Sequence, residues 1–301
     1  MLLRHLRYLL AVVEQGGFTR AAEALHLSQP TLSQQVRQLE ERLGFDLLDR
    51  SGRSVRATDE GEVYLQHVRR AFAELAAAEQ AVADVRGLGR GLLRLGITPT
   101  FTSYLVGPLM EAFGARHPGI RTMLQVMTQD GMETALEADR LDLGIAFGQV
   151  RSAEIEVTPL FDERLRLVVA EAHALDEREM PATRLSTAVA FALLSEDFAT
   201  RRHIDRYFSE QEIRPTVLFE GNSVDAIIEV VRRGRLATIL PEAVAREQPG
   251  LRAIALSPAI APRAVGLLQH RGAYRSAAVR AFIATARDVL AENAAMPSPS
   301  R

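Results

Sequence analysis

The side chains best placed to do chemistry open in the stretch "SQPTLSQQVRQLEERLG", residues 28–44. On a helix, Gln29, Ser33 and Arg37 share one face, with Gln34 beside them. These residue types read base edges: Gln pairs bidentately with adenine, Arg with guanine, and Ser with several donors and acceptors. Glu40 and Glu41 would repel phosphate, so they are expected at the end of the helix that leaves a groove, as when a helix enters by its N-terminal half. Leu32, Val36, Leu39 and Leu43 form the apolar face. The alternative is an ordinary wet helix face, and the surrounding elements must decide.

A second group is richer in hydroxyls than in charges. "TPTFTS" brings Thr100, Thr102 and Ser103; "MTQD" brings Thr128 and Gln129; "SEDFATR" brings Ser195, Phe198, Thr200 and Arg201; "GNS" brings Asn222 and Ser223. Each follows a strand pattern and enters a helix pattern. In open α/β sheets ligands collect beyond the carboxyl ends of strands, and helix N-termini favour anions. Single residues of this kind are usually caps, so only their convergence would make a site. Phe147 and Phe198 can wall such a cleft, although Phe147 suits a core equally well. Arg201 either meets an anion or pairs with a carboxylate. Hydroxyls and amides with few acids suit a small anion, and carboxylates fit as well.

Catalytic and metal chemistry find no such support. Cysteine is absent, which excludes disulfides, thiolate nucleophiles and thiolate metal sites. The seven histidines are scattered, with no pair at ligand spacing on one helix. "GLGRG", residues 87–91, follows a helix rather than a strand and lacks the third glycine of a dinucleotide loop. No G-x-S-x-G elbow is present. No catalytic residue, metal or cofactor is therefore expected. An enzyme and a pure solute-binding protein remain the readings from other classes.

The elements that position these residues follow from hydrophobic spacing and caps. A chain of 301 residues suggests two or three domains. Leu3, Leu6, Leu10 and Val13 mark a first helix, "EQGG" ends it, and Phe18, Ala21, Ala22 and Leu25 mark a second. Ser28 is the N-cap of the third, with Pro30 in its first turn and Gly44 closing it. Two short strands around Ser51-Gly52 read as a hairpin carrying Arg50, Arg53 and Arg56. Two short helices, a tight turn and a basic hairpin make a winged helix-turn-helix over residues 1–58. Net charge lends no help: the whole chain stands at -2, and every one of its basic Lys/Arg positions is Arg.

Asp59, with Glu62 three residues later, is expected to cap a long helix over residues 59–88. Its heptad seam of Tyr64, Val68, Ala71, Leu75, Ala78, Val82 and Val85 suggests dimerisation. "GLGRG" is a candidate hinge. From residue 89 onwards strands and helices alternate, which suggests parallel sheets. The division read here is lobe I at 92–161 and 266–295, and lobe II at 162–265, with a disordered "MPSPSR" tail. The short apolar run "YLLAVV" makes a poor signal peptide, and no run reaches a membrane span, so a cytoplasmic protein without membrane contact is expected.

The segment "FTRAAEALHLSQPTLSQQVRQLEERLGFDLLDRSGRSVRATDEGE" resembles the DNA-binding domain of the LysR-type transcriptional regulators. The shared features are A-A-x-x-L, S-Q-P-x-L-S, L-E-x-x-L-G, and an L-x-x-R wing followed by T-x-x-G. The likeness continues over nearly the whole chain. It implies a winged helix-turn-helix, dimers through the linker helix and often tetramers, and a two-lobed, periplasmic-binding-protein-like effector domain. By the motif match Gln29, Pro30 and Ser33 are the expected groove contacts. Ser28 caps their helix, and Thr31, Gln34, Arg37, Arg50 and Arg53 support them. Partners would be promoter DNA, a small effector, further copies of the chain and, for an activator, RNA polymerase. Within the family, "GITPTFTSYLVGPLM", "LDLGIAFG", "LLSEDFATRRHID" and "EGNSV" look like segments of cyanate-operon regulators, which implies cyanate or an isostere such as azide as effector.

Overall fold

The computed structural model describes residues 2–50, 55–85 and 91–295. It forms two compact units, Met1–Glu79 and Gln80–Arg301.

The N-terminal unit holds α1 (Leu2–Glu14), α2 (Phe18–Ala24), α3 (Gln29–Leu43), the strands β1 (Leu48–Asp49) and β2 (Arg56–Ala57), and the start of α4 (Asp59–Val85). Leu6, Leu9 and Val12 of α1 are buried against Ala21, Ala22, Leu32, Val36 and Leu39. The buried face of α1 is thus one position off the face expected, and Leu3 is exposed. His26 takes a left-handed φ of 55° in the turn between α2 and α3. Ser28 caps α3 by accepting from Thr31 N, and Gly44 closes it at φ 85°. β1 and β2 pair antiparallel, Leu48 with Ala57 and Asp49 with Arg56. The hairpin tip, with Ser51, Gly52 and Arg53, lies outside the described residues.

The cap of α4 is Thr58, not Asp59: Gly61 N donates to Thr58 Oγ1 at 2.9 Å. That hydroxyl donates in turn to Asp46 O, and a Cβ at Gly61 would stand 2.1 Å from Leu47 O. The T-x-x-G motif is therefore a close crossing of the α4 start over the strand entry. Asp59, Glu60 and Glu62 still suit the positive end of the helix dipole. The heptad seam divides. Val68 is buried and Tyr64 half-buried in the core of the N-terminal unit, whereas Leu75 and Val82 are exposed. Of the expected hinge, only Gly91 lies among the described residues, and the tail 296–301 lies outside them.

The C-terminal unit has two sheets. In the first lobe the order is β4-β3-β5-β13-β6, and in the second β10-β9-β11-β7-β12-β8. The first lobe contains β3 (Gly91–Ile97), α5 (Val106–Arg116), β4 (Ile120–Val126), α6 (Gln129–Glu137), β5 (Leu143–Phe147) and β6 (Ile155–Glu163). The chain crosses at Arg164 into β7 (Leu165–Ala170), β8 (Glu179–Pro181), α7 (Leu185–Ala188), β9 (Ala190–Leu194), α8 (Ala199–Glu210) and β10 (Thr216–Gly221). There follow α9 (Val224–Arg233), β11 (Leu236–Pro241), α10 (Glu242–Glu247) and β12 (Leu251–Ser257). It returns through β13 (Arg263–His270) and ends in α11 (Ala277–Ala295).

The sheets are mixed rather than parallel. β3 pairs parallel with β4 and β5, but β13 runs antiparallel to β5 and β6. Likewise β7 runs antiparallel to β11 and β12. The strands next to the crossings reverse direction because the chain enters each lobe from the other side. Strand-helix alternation in the sequence does not record this. β6 ends at Glu163 and β13 begins at Arg263, and the two residues pair in register, so the crossings lie just after residue 163 and just before residue 263, against the 161 and 266 read from the sequence.

Candidate functional site

The polar face of α3 is available. Ser28, Gln29, Pro30, Thr31, Gln34 and Arg37 are exposed, and Ser33 is half-exposed. Among these residues the only side-chain bonds are the cap itself, with Ser28 Oγ 2.6 Å from Thr31 Oγ1. On the other flank Gln35 is spent on the unit's own structure, 2.9 Å from His5 Nε2.

Glu40 corrects the sequence reading. It is 4 % exposed and does not face a groove exit. Its Oε1 accepts from Leu47 N (3.0 Å) and Leu48 N (3.2 Å), and its Oε2 from Arg50 Nη2 (2.5 Å). The Arg50 guanidinium also lies 5.4 Å from the centre of the Phe18 ring. Arg50 is therefore committed to locking the wing onto α3 before it meets any phosphate. Its side chain stays about one-third exposed, at 34 %.

In the C-terminal unit the expected constellation comes apart. The Thr102 and Ser103 hydroxyls donate to Pro99 O and Thr100 O within their own 3-10 turn. Thr128 caps α6 through Gly131 N. Gln129 is buried and clamps the β5 exit: its amide donates to Phe147 O and Gln149 O, and its oxygen accepts from Phe147 N. Phe147 belongs to the first lobe's core, and Phe198 packs against the core of the second. Arg201 settles on its carboxylates, Asp205 at 2.9 Å and Glu220 at 2.7 Å. Asn222 is exposed, and Ser223 caps α9. Thr100 and Thr200 are buried.

What holds the two lobes together was not singled out from the sequence. Arg263, at the return crossing, donates to Glu163 Oε2 (2.8 and 2.5 Å) and to Thr200 Oγ1 at the start of α8 (2.9 Å). Its guanidinium stacks 3.8 Å from the Phe147 ring centre. Tyr104 donates to Glu163 Oε1 at 2.6 Å. Burial first, then the Glu163 charge and hydrogen bond, pushes the Tyr104 phenol well above its usual pKa of 10.0. Two hydroxyls nearby in chain position, Thr98 Oγ1 after β3 and Ser195 Oγ after β9, are buried without a hydrogen-bond partner among the described residues. Buried polar atoms are rarely left so. Both sit at carboxyl ends of strands, which is where the topology places ligands. Ser195 is among the residues expected there; Thr98, which opens the stretch "TPTFTS", is not.

Beside this seam opens a pocket of about 900 Å³. Its walls are the β5 exit and α6 of the first lobe, α8 of the second, and the return crossing at residues 261–265. Of the sequence candidates only Gln129 and Phe147 line it. Ala199, Arg202, His203 and Arg206 present one face of α8 to it, at spacings of three, one and three. That stripe was legible as a helical repeat. His203 lies 2.9 Å from Ala261 O. Burial lowers its pKa from 6.5; the Ala261 bond opposes this, and the charges of Arg263 and Arg206 add to it.

Comparison with known proteins agrees with both units. Residues 3–62 match the model for bacterial regulatory helix-turn-helix proteins of the lysR family. Residues 86–291 match the LysR substrate binding domain. The RuBisCO operon transcriptional regulator of Allochromatium vinosum is 34% identical over 235 residues, covering 77% of this chain and 76% of that one. The regulator BenM of Acinetobacter baylyi is 30% identical over 249 residues, 80% of each chain. Among solved structures, full-length OxyR from Pseudomonas aeruginosa superposes with a TM-score of 0.70 at 23% identity, over 95% of both chains. Full-length CbnR complexed with its target DNA does so at 0.68 and 23%, over 96% of this chain and 100% of that one. These relatives are transcriptional regulators, not enzymes.

Proposed function

Because the chain belongs to the LysR family, and is thus a DNA-binding transcriptional regulator with an effector-binding domain, we propose that α3 reads the operator. The groove contacts are Gln29, Pro30 and Ser33. Ser28, Thr31, Gln34 and Arg37 support them, and Arg50 and Arg53 serve on the wing. The observation that carries this is the exposed N-terminal half of α3, whose side chains make no bonds beyond their own cap. In CbnR, a neighbour of the same fold, the structure is of a complex with target DNA.

The domains follow as 1–58 for DNA, 59–88 for dimerisation and 89–301 for the effector. Dimers form through the exposed part of the α4 seam, around Leu75 and Val82, and pair into tetramers. The protein works as an activator in the cytoplasm, where its DNA and RNA polymerase are. No helix among the described residues is long and apolar enough to cross a membrane.

The effector binds between the lobes. Supporting this are the two hydroxyls at strand ends, Thr98 and Ser195, that lack a partner among the described residues, and the open pocket lined by both lobes. An anion is the class favoured, since four arginines line the pocket against two carboxylates. The segments similar to cyanate-operon regulators make cyanate the first anion to test, with carboxylates and aromatic acids next. By binding one arrangement of the lobes more tightly, the effector shifts the DNA bend; equal affinity for both arrangements would shift nothing.

A footprint on the DNA upstream of the protein's own gene, with and without cyanate, tests the reading. A protected site whose extent changes with cyanate supports regulator, cleft and ligand together. A site indifferent to cyanate removes cyanate and leaves the regulator, and a footprint that no anion alters removes the effector mechanism.

A further inference from the structure

The size and charge of the inter-lobe pocket say more about the ligand than the hydroxyls do. Its volume of about 900 Å³ lies in the range of roughly 300–1,000 Å³ typical of sites for larger organic ligands. A triatomic anion displaces about two waters of about 30 Å³ each, and would leave most of the pocket to solvent.

The charges in its walls are unequal. Arg263 is matched by Glu163. Arg151 is matched by Asp130 at 2.9 Å. Glu133 is buried and accepts from the backbone N–H groups of Arg151 and Ser152. Two cations are left over, both on α8. Arg202 donates only to the backbone carbonyls of Glu196 and Asp197, and Arg206 has no ion pair among the described residues. They are four positions apart, one turn of the same helix face, with His203 between them. The charge of Arg206 is already felt there, since with burial and Arg263 it pushes the His203 pKa down.

We infer that this pocket takes an organic molecule bearing two anionic groups, carboxylate or phosphate, which Arg202 and Arg206 hold from α8 while its body crosses towards the β5 exit. The inference rests on the effector reading above and specifies the ligand class of that site. Arginine suits the role because its planar fork meets either oxyanion in bidentate fashion. The ligand touches α8 of one lobe and residues 147–151 of the other, so its span, not only its charge, selects the arrangement of the lobes. His203 reports occupancy, because added negative charge favours its protonated form.

The test is calorimetry on the full-length protein with three probes: succinate, pyrophosphate and cyanate. His203 is followed in parallel by its ring proton resonances as pH is varied. At least one dianion is expected to bind and to raise the His203 pKa. Arg202→Gln and Arg206→Gln should each weaken it about tenfold, the loss of one charge-assisted bond, with an unchanged unfolding midpoint in the absence of ligand. Succinate alone binding assigns a dicarboxylate, and pyrophosphate alone a phosphorylated ligand. Cyanate binding that is indifferent to both substitutions, with no dianion bound, overturns the inference and leaves the effector reading standing. Dianion binding unchanged in both variants also overturns it. If no anion binds, the reading of the cleft as an anion site falls with it.

Discussion

The two units each contain a buried glutamate gripped by an arginine that lies over a phenylalanine ring. In the N-terminal unit it is Glu40, Arg50 and Phe18; in the C-terminal unit, Glu163, Arg263 and Phe147. Both ion pairs are 2.5 Å long. Their placement differs. Glu40 and Arg50 are ten residues apart, and the glutamate also takes two backbone N–H groups, so the pair makes one solid part of recognition helix and wing. Glu163 and Arg263 are a hundred residues apart, at the two crossings between lobes, and Arg263 reaches Thr200 in the other lobe. The same chemistry freezes one region and forms the joint of the other. A joint built on a buried charge resists every arrangement that leaves the charge unpaired, because unpairing it is costly.

The largest effect that would test this contrast is Arg263→Met. It leaves Glu163 buried without its cation and should destabilise the C-terminal unit by about 3–5 kcal/mol. Denaturant unfolding read by hydrogen exchange in β6 and β13 measures it. Adding Glu163→Gln should restore most of the loss, and if it does not, packing rather than charge holds the joint. Glu40→Gln should cost about 1.5–3 kcal/mol in the N-terminal unit, since charged hydrogen bonds to Leu47 and Leu48 are weakened; exchange at those two amides reports it directly. Gln29→Ala should leave stability alone, cost about 1–3 kcal/mol on the cognate site and relax one base position in a binding selection. Unchanged sequence preference would show that the exposed face is not the reading face. Arg50→Met should cost about 1 kcal/mol or less, because its partner is half supported by backbone and the arginine is partly solvated.

The smallest effects are in pH. Tyr104 and Tyr207 hold their protons more tightly when folded, Tyr207 up to about 12 through burial. Their contribution to the C-terminal unit is therefore complete below pH 10 and lost as pH climbs through the folded values. His203 is shifted the other way, so its share is present above pH 6.5 and lost as pH falls towards the folded value. Thermal midpoints across pH 5–11 should show both shoulders, and His203→Gln should remove the acid one.

What could be read in advance followed local rules. Ser28, Pro30 and Gly44 announced α3 because caps act within one turn. The heptad spacing announced α4, and the alternation of strand and helix patterns announced the α/β character of the chain from residue 89 onwards. The misreadings share a cause: residue type shows what a group can do but not which partner it meets. Glu40 looked wet because carboxylates usually are, and two distant N–H groups and Arg50 make it a core residue. Thr102 and Ser103 meet carbonyls of their own turn, and Gln129 meets the backbone of the β5 exit 18 and 20 residues away, partners that residue type does not announce. Arg263 and Glu163 stood at strand ends a hundred residues apart, with no local sign of each other. β10 is an edge strand whose apolar residues Val217 and Leu218 stay exposed, and β6 is interrupted by Pro159 and polar residues, so neither carries the pattern of a buried strand.

The division of labour within α3 has a consequence for how such a regulator changes its target. Leu32, Val36, Leu39 and Glu40, with Gln35 and the Ser28 cap, carry the obligations to the fold, while Gln29, Gln34 and Arg37 owe it nothing beyond a helical backbone. Substitutions on the outer face are therefore nearly neutral for folding, and a duplicated copy is free to drift to a new operator in single steps without passing through an unfolded intermediate sequence.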